Sequence, residues 1–210
     1  MKKRITAVWL LAAALLCGGC GAGFDAAAYV RGILNNLYLG DCSEYLQTAD
    51  ISEEEAAQER EQGIEAETDY FLEYYGIGEI SDGVRGQIGD MYRTIYSRSK
   101  YEVLEAVPDG DAYLVEVRIS PIDVVVNSRE DVNAAVGAFV LKTDPADYAD
   151  DRSLNDALAL MVADVLLENL PQSGWQEPRS VIVKAEKGED GYYRLSGNAV
   201  SLLDQEIIAY

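Results

Sequence analysis

The stretch YLVEVRIS, residues 113–120, decides the fold class because the period of the hydrophobic pattern changes there from 3.6 residues to 2. Apolar or aromatic side chains at every second position, from Tyr113 to Ile119, predict a strand with one buried face. The preceding run, residues 100–107, is joined to this strand through the turn sequence PDGD at residues 108–111. We therefore predict a β-hairpin, and we expect residues 122–126 to extend its second strand.

Helical patterns dominate on the amino-terminal side of this hairpin. Asp25 precedes an amphipathic pattern that ends at Gly40, and a short helical piece around Tyr45 follows. Ser52 and Glu55 have the spacing of a capping box and open a long helix that ends at Gly76 and Gly78. A further helix is predicted to begin at Ser81. Several helices thus precede the sheet.

The carboxy-terminal side repeats the order of helices followed by a hairpin. Helices are predicted after Ser128 and after Ser153, and the second of them ends before Pro171. A second hairpin runs from residue 180 to residue 195 around the turn GEDG at 188–191, and a short helix closes the chain. This order predicts an α+β fold in which several N-terminal helices pack on a small antiparallel sheet built from two hairpins.

The amino terminus has the features of an export signal. Three basic residues, at positions 2–4, precede a dozen apolar residues, which are too few to span a bilayer. The sequence LLCGGC at residues 15–20 resembles the lipobox read by lipoprotein signal peptidase, which implies that Cys20 carries the lipid. We predict a signal peptide over residues 1–19, a lipidated tether over 20–24 and a single α+β domain over 25–210. The alternatives are an ordinary signal peptide cut elsewhere or a disulfide between Cys20 and Cys42.

Charge restricts the partners of the mature chain. Cleavage after residue 19 would remove three of the 17 basic residues and none of the 37 acidic ones, which leaves a net charge of −23. Such an acidic chain does not bind nucleic acid non-specifically, because that affinity comes from Lys and Arg. We expect the protein to reach the membrane through lipid on Cys20, at the extracytoplasmic face of the cell membrane, and to meet neutral, cationic or metal-bearing partners.

A wider resemblance covers nearly the whole mature chain. Several segments look like those of uncharacterised lipoproteins of Gram-positive gut bacteria: residues 24–41, the helix from Ser52 to Phe71, residues 95–97 and 100–103, SPID at 120–123, and IIAY at 207–210. The order of elements also fits the general plan of cystatin-like or NTF2-like folds, in which a curved sheet wraps on a helix. The family has no established activity, so the resemblance implies a location and a fold and leaves the function open.

Catalytic motifs are absent from the sequence. The chain has no histidine, which excludes a Ser-His-Asp triad and removes the commonest metal ligand. Tyr101 and Tyr113 on the predicted strands, with Asp123 beside them, are the candidate ligand groove, and no cofactor is predicted. An acidic loop from Asp144 to Asp151 could hold calcium, but its spacing is not that of an EF-hand, and a solvated linker is the favoured interpretation.

These observations favour a non-enzymatic module at the cell envelope that binds a ligand or another protein, with a peptide, a glycan or an envelope protein as the partner. The abundance of tyrosine, with 14 residues, supports such a role only if several of the rings line one groove. One alternative is an envelope enzyme that uses an Asp or Tyr base in an NTF2-like pocket, which requires a buried carboxylate facing a cavity. The other is a calcium-dependent adhesion or sensing domain.

Overall fold

The computed structural model describes residues 24–210. The predicted α+β class is confirmed: helices lie on one side of an antiparallel sheet. The helical elements are α1 (Ala26–Leu34), a π-helical turn (Asn35–Leu39), α2 (Ser43–Thr48), α3 (Glu53–Tyr75), α4 (Asp82–Tyr96), α5 (Val124–Asn127), α6 (Arg129–Lys142), α7 (Asp151–Asn169) and α8 (Ala199–Ile207), with short 3₁₀ turns at Pro145–Asp147 and Leu170–Gln172. The strands are β1 (Lys100–Val103), β2 (Val107–Asp109), β3 (Ala112–Ser120), β4 (Arg179–Lys187) and β5 (Tyr193–Leu195).

The sheet consists of the two predicted hairpins joined edge to edge. Its order is β1-β3-β4-β5, every pair is antiparallel, and β2 also pairs with β3. β1 and β2 are therefore two parts of one interrupted strand that lies along β3. Val115, Val117 and Ile119 on β3 are fully buried, as the alternating pattern predicts, and α1 and α8 pack against this face.

The predicted helix boundaries follow from local capping chemistry. The Asp25 side chain accepts a hydrogen bond from the backbone N–H of Ala28 at the start of α1, and Ser52 and Glu55 form the predicted capping box of α3. Gly40 ends the π-helical turn with a left-handed φ of 72°, a conformation that glycine adopts without steric cost. These parts of the prediction are confirmed because they depend on a few neighbouring residues.

The predicted extension of the first hairpin through residues 122–126 is wrong. Pro121 has no N–H to continue the ladder, and residues 124–127 form α5 instead. Ile122 makes isolated bridges to Trp175 and to Ile208. Its backbone donates to the carbonyl of Ile207 and accepts from Ala209, so the end of the chain is fixed beside the sheet.

Candidate functional site

A cleft of about 880 Å³ lies where α1, α2 and α3 meet the β4–β5 hairpin and α8. Six tyrosines line it: Tyr29, Tyr38, Tyr45, Tyr96, Tyr192 and Tyr193. They come from four helical elements and one hairpin, so only the folded chain brings them together. Apolar side chains such as Ile33, Leu37 and Val200 complete the walls. The cleft thus combines aromatic and apolar walls with phenolic hydroxyls.

Asp204 is the carboxylate that α8 contributes to the cleft. The neighbouring Leu203 is fully buried and fixes the rotation of the helix. The Tyr38 hydroxyl donates a hydrogen bond of 2.5 Å to Asp204 Oδ1. Desolvation by burial raises the pKa of the Asp204 carboxyl above its ordinary value, and the hydrogen bond from Tyr38 opposes this shift. Asp204 is therefore a carboxyl group that protonates more readily than one in water.

A second half-buried carboxylate, Glu67 on α3, is hydrogen-bonded to a tyrosine that lines the cleft. It accepts hydrogen bonds from the hydroxyls of Tyr210 and Tyr96, the latter at 3.2 Å. Burial raises the pKa of Glu67, and the negative charge of Asp204 raises it further. Tyr96 donates to Glu67 and its ring contacts that of Tyr38, which donates to Asp204, so tyrosines connect the two carboxylates.

The rim of the cleft is acidic. Besides Asp204, the lining carboxylates are Asp50, Glu55, Glu59 and Asp190, and one arginine, Arg194, lies among them. Arg194 makes two contacts with Asp190, of 3.0 and 2.6 Å, which lower the pKa of the Asp190 carboxyl to about 2. Glu59 accepts a bond of 3.1 Å from the Tyr45 hydroxyl. Burial raises the pKa of Tyr45, and the nearby charge of Glu59 adds to the shift.

The start of the described chain is attached to the cleft wall. The ring of Phe24 stacks on that of Tyr193 with a centroid distance of 3.8 Å and an interplanar angle of 4°. It also contacts Tyr29 and Tyr113, with centroids at 5.2 and 5.9 Å. Since Tyr193 and Tyr29 line the cleft, Phe24 places the amino-terminal end of the domain next to it. Cys20 and the rest of the predicted signal peptide and tether up to residue 23 lie outside the described residues.

The structure does not bring together the three residues predicted as a ligand groove. The Tyr101 hydroxyl donates to Asn35 Oδ1 at 2.7 Å, and Tyr113 packs against Tyr193 at the other end of the sheet. Asp123 accepts a hydrogen bond of 2.7 Å from the backbone N–H of Gly174. None of the three lines the cleft described above. Their contact with a ligand stays a prediction.

Sequence reasoning missed the residues that do meet in the cleft, although two signals were present. A pair of tyrosines, Tyr192 and Tyr193, follows the turn of the second hairpin directly. Asp204 stands next to a predicted core residue in the last amphipathic helix. Neither signal identifies a site until the helices from the other end of the chain are placed against them.

Two carboxylates of the acidic loop accept hydrogen bonds within the chain. The Asp144 side chain accepts from the N–H of Ala146, and Asp150 forms a capping box with Ser153, so that α7 begins before the predicted Ser153. Over residues 24–210, no three His, Cys, Asp or Glu side chains are arranged as metal ligands. None of the helices in that range is long and apolar enough to cross a membrane.

Comparison with known proteins identifies a similar fold. No family model and no curated protein matches the chain. A crystal structure of ycdA from Bacillus subtilis, whose assignment as a lipoprotein is provisional, matches with a TM-score of 0.65 and 14% sequence identity. The match covers 89% of this chain and 56% of that protein, so the present chain spans little more than half of its relative in structure. The likeness establishes a shared fold, and it gives no support to the finer cystatin-like or NTF2-like assignment, which stays a prediction.

Proposed function

We propose that this protein is a lipid-anchored, extracytoplasmic module that binds a small ligand in its tyrosine-lined cleft. The observation that carries the proposal is the cleft itself, with a volume of about 880 Å³ and six tyrosines in its walls. Ligand pockets in proteins usually enclose ~300–1,000 Å³ and combine apolar walls with a few convergent polar groups. In this cleft the phenol rings supply apolar walls, and the tyrosine hydroxyls and Asp204 supply polar groups.

The anchor rests on the signal sequence and the lipobox that ends at Cys20. The shared fold with a protein provisionally assigned as a lipoprotein supports it. Phe24 follows Cys20 by four residues, and a chain of four residues spans at most about 14 Å. Because Phe24 stacks on Tyr193 in the cleft wall, the cleft would lie close to the membrane surface. Two acyl chains on Cys20 would hold it there stably.

The anchor is tested by replacing its cysteine. We expect Cys20→Ala to abolish incorporation of labelled palmitate and to move the chain out of the membrane fraction. Cys42→Ala is the matched control, since Cys42 is a free, half-buried thiol in the folded domain. If Cys20→Ala still takes up palmitate or stays in the membrane, the proposed anchor is wrong.

Ligand binding in the cleft is tested with a variant that fills it. Gly63 lies on α3, lines the cleft, and has no heavy atom within 4 Å of the position of an added Cβ. Gly63→Trp would therefore place a large ring in the cleft, whereas Gly63→Ala changes the same position without filling it. The chain, extracted in a non-ionic detergent, is screened by ligand-observed NMR against small neutral, cationic and anionic fragments.

The two variants separate binding in the cleft from binding elsewhere. We expect at least one class of fragment to bind the wild type and Gly63→Ala and to lose its signal with Gly63→Trp. If no class binds the wild type, or if Gly63→Trp binds as well as Gly63→Ala does, the cleft is not a ligand site and the proposal fails.

An enzymatic role is the second candidate. The observation that favours it is Asp204, a carboxyl with a raised pKa that lines the cleft beside the Tyr38 hydroxyl. A raised pKa suits a group that transfers protons near neutral pH. If the protein is an enzyme, a bound fragment changes chemically over time in NMR spectra, and Asp204→Asn stops the change while the fragment still binds. Stable spectra for every bound fragment would leave binding as the function.

A further inference from the structure

We infer that the ligand of the cleft is an organic cation, an ammonium group attached to an apolar body. The inference rests on the proposed function and narrows it to one chemical class. Three features of the cleft lead to it: its uncompensated negative charge, the exposed aromatic ring at its rim, and the pairing of its carboxylates with neutral hydroxyls.

Charge balance is the first feature. The lining contains five carboxylates, Asp50, Glu55, Glu59, Asp190 and Asp204, and a single arginine. Arg194 is already paired with Asp190 through two contacts. The other four lining carboxylates have no salt-bridge partner within 4.0 Å among the described residues. A bound anion would meet this field at close range, whereas a cation would neutralise part of it.

Aromatic faces are the second feature. A cation within about 6 Å of the centre of a tyrosine ring is attracted by the negative face of the ring. Tyr29, Tyr38, Tyr45 and Tyr96 are each no more than 7% exposed and pack in contacting pairs, with centroids 6.1 and 5.1 Å apart, so no cation fits between these rings. Tyr192 is 49% exposed at the rim of the cleft, and its backbone N–H donates to Asp190 Oδ1 at 3.2 Å. An exposed tyrosine ring beside carboxylates suits an ammonium group.

The third feature is that a carboxylate accompanies each of these pairs. Glu59 accepts from the hydroxyl of Tyr45, and Asp204 accepts from that of Tyr38. These donors are neutral, and neither carboxylate has a cationic partner within 4.0 Å among the described residues. Burial raises the pKa of the Tyr29 hydroxyl, and the nearby charge of Glu59 adds to the shift. An ammonium group in the cleft would supply the cationic partner that Glu59 and Asp204 lack among the described residues.

The apolar part of the ligand has its own surface. Ile33, Leu37, Ile51, Leu195 and Val200 line the cleft together with the tyrosines. A fully hydrated inorganic cation would leave these side chains without a partner. An organic body attached to the ammonium group would bury apolar area against them, at roughly 25 cal/mol per Å².

The test uses three probes that share a skeleton and differ in charge: choline, its uncharged isostere 3,3-dimethylbutan-1-ol, and the anion 3,3-dimethylbutanoate. Binding to the full chain in a non-ionic detergent is measured by NMR titration at pH 7.5. We expect choline to bind at least about tenfold more tightly than the alcohol, a difference that corresponds to ~1.4 kcal/mol, and the anion to bind most weakly.

Two variants on α8 locate the effect. Asp204→Asn removes a charge from the cleft and keeps an oxygen that can accept from Tyr38. Glu206→Gln removes the same charge two residues away, where Glu206 pairs with Arg179 and does not line the cleft. We expect Asp204→Asn to weaken choline binding about three- to tenfold without changing that of the alcohol, and Glu206→Gln to leave both unchanged. If Asp204→Asn does not fold, Glu59→Gln, which also removes a charge from the lining, takes its place.

The outcomes separate this inference from the proposed function. Equal affinity for choline and the alcohol, or tighter binding of the anion, overturns the cation inference, and loss of that binding in Gly63→Trp would still leave the cleft as a ligand site. An equal loss of choline affinity in Asp204→Asn and Glu206→Gln would also overturn it, because the effect would then come from net charge alone. Binding of no fragment of any class would remove the proposed function itself.

Discussion

Replacing Tyr38 by phenylalanine tests the link between the cleft and the stability of the fold. Its hydroxyl donates to Asp204, and no other hydrogen bond to that carboxylate is found among the described residues. Tyr38→Phe keeps the buried ring and removes the donor. A hydrogen bond to a charged group contributes about 1.5–3 kcal/mol, and leaving a half-buried carboxylate such as Asp204 without a partner costs part of a similar amount. We therefore expect the free energy of unfolding to fall by about 2 kcal/mol at pH 7.5.

Tyr101→Phe is the matched control. Its hydroxyl also donates to a side-chain oxygen, that of Asn35, but this acceptor is neutral. A neutral pair contributes only about 0.5–1.5 kcal/mol. With a urea m-value of about 2 kcal/mol per M, Tyr38→Phe should lower the midpoint of unfolding by ~1 M and Tyr101→Phe by about half as much.

The pH dependence separates the charged bond from mere packing. The hydrogen bond from Tyr38 lowers the pKa of Asp204, so its loss raises that pKa further in the folded state. At pH values near the folded pKa of Asp204, the folded variant binds more protons than the folded wild type, so the variant's deficit in stability grows as the pH rises. The deficit shrinks at low pH, where Asp204 is protonated in both proteins. An equal loss for Tyr38→Phe and Tyr101→Phe, with no change between pH 5 and pH 8, would refute the reasoning.

Three further predictions concern stability and are measured by urea unfolding. Burial raises the pKa of Glu67, so the folded state binds more protons than the unfolded state as the pH rises from the ordinary value of 4.5 to the folded pKa. The wild type therefore loses stability over that range, and Glu67→Gln should become more stable relative to it. Parallel pH profiles of the two proteins would contradict this prediction. Leu203→Ala should cost about 2–5 kcal/mol, because Leu203 is fully buried beneath α8, and a loss below ~1 kcal/mol would show that this helix is not part of the core. Gly40→Ala should cost about 1–2 kcal/mol, because Gly40 has a φ of +72° and an added Cβ would lie 2.8 Å from Arg60 Cζ. Gly63→Ala, inside α3, should be neutral or stabilising by up to ~1 kcal/mol. Equal effects of the two substitutions would mean that the left-handed turn is not maintained.

The number of tyrosines in the sequence does not reveal which of them line the cleft. Six of the 14 tyrosines line the cleft, and others, such as Tyr70 and Tyr74, pack on Tyr210 outside it. A count of residues cannot separate these two groups, because both have rings in contact and hydroxyls near solvent or carboxylates. The predicted groove of Tyr101, Tyr113 and Asp123 depends on proximity to strands, and strand position alone does not determine which ring faces an open space.

The features that the sequence alone determined are those that depend on neighbouring residues. The capping box of Ser52 and Glu55, the left-handed end at Gly40 and the alternation along β3 each involve interactions within a few positions, so the elements and the α+β class could be predicted. The cleft depends instead on contacts across the whole chain, such as the one between Tyr38 and Asp204, which are 166 residues apart. Only packing of α8 and the second hairpin against the amino-terminal helices brings such groups together, because a contact between residues distant in sequence produces no local sequence pattern.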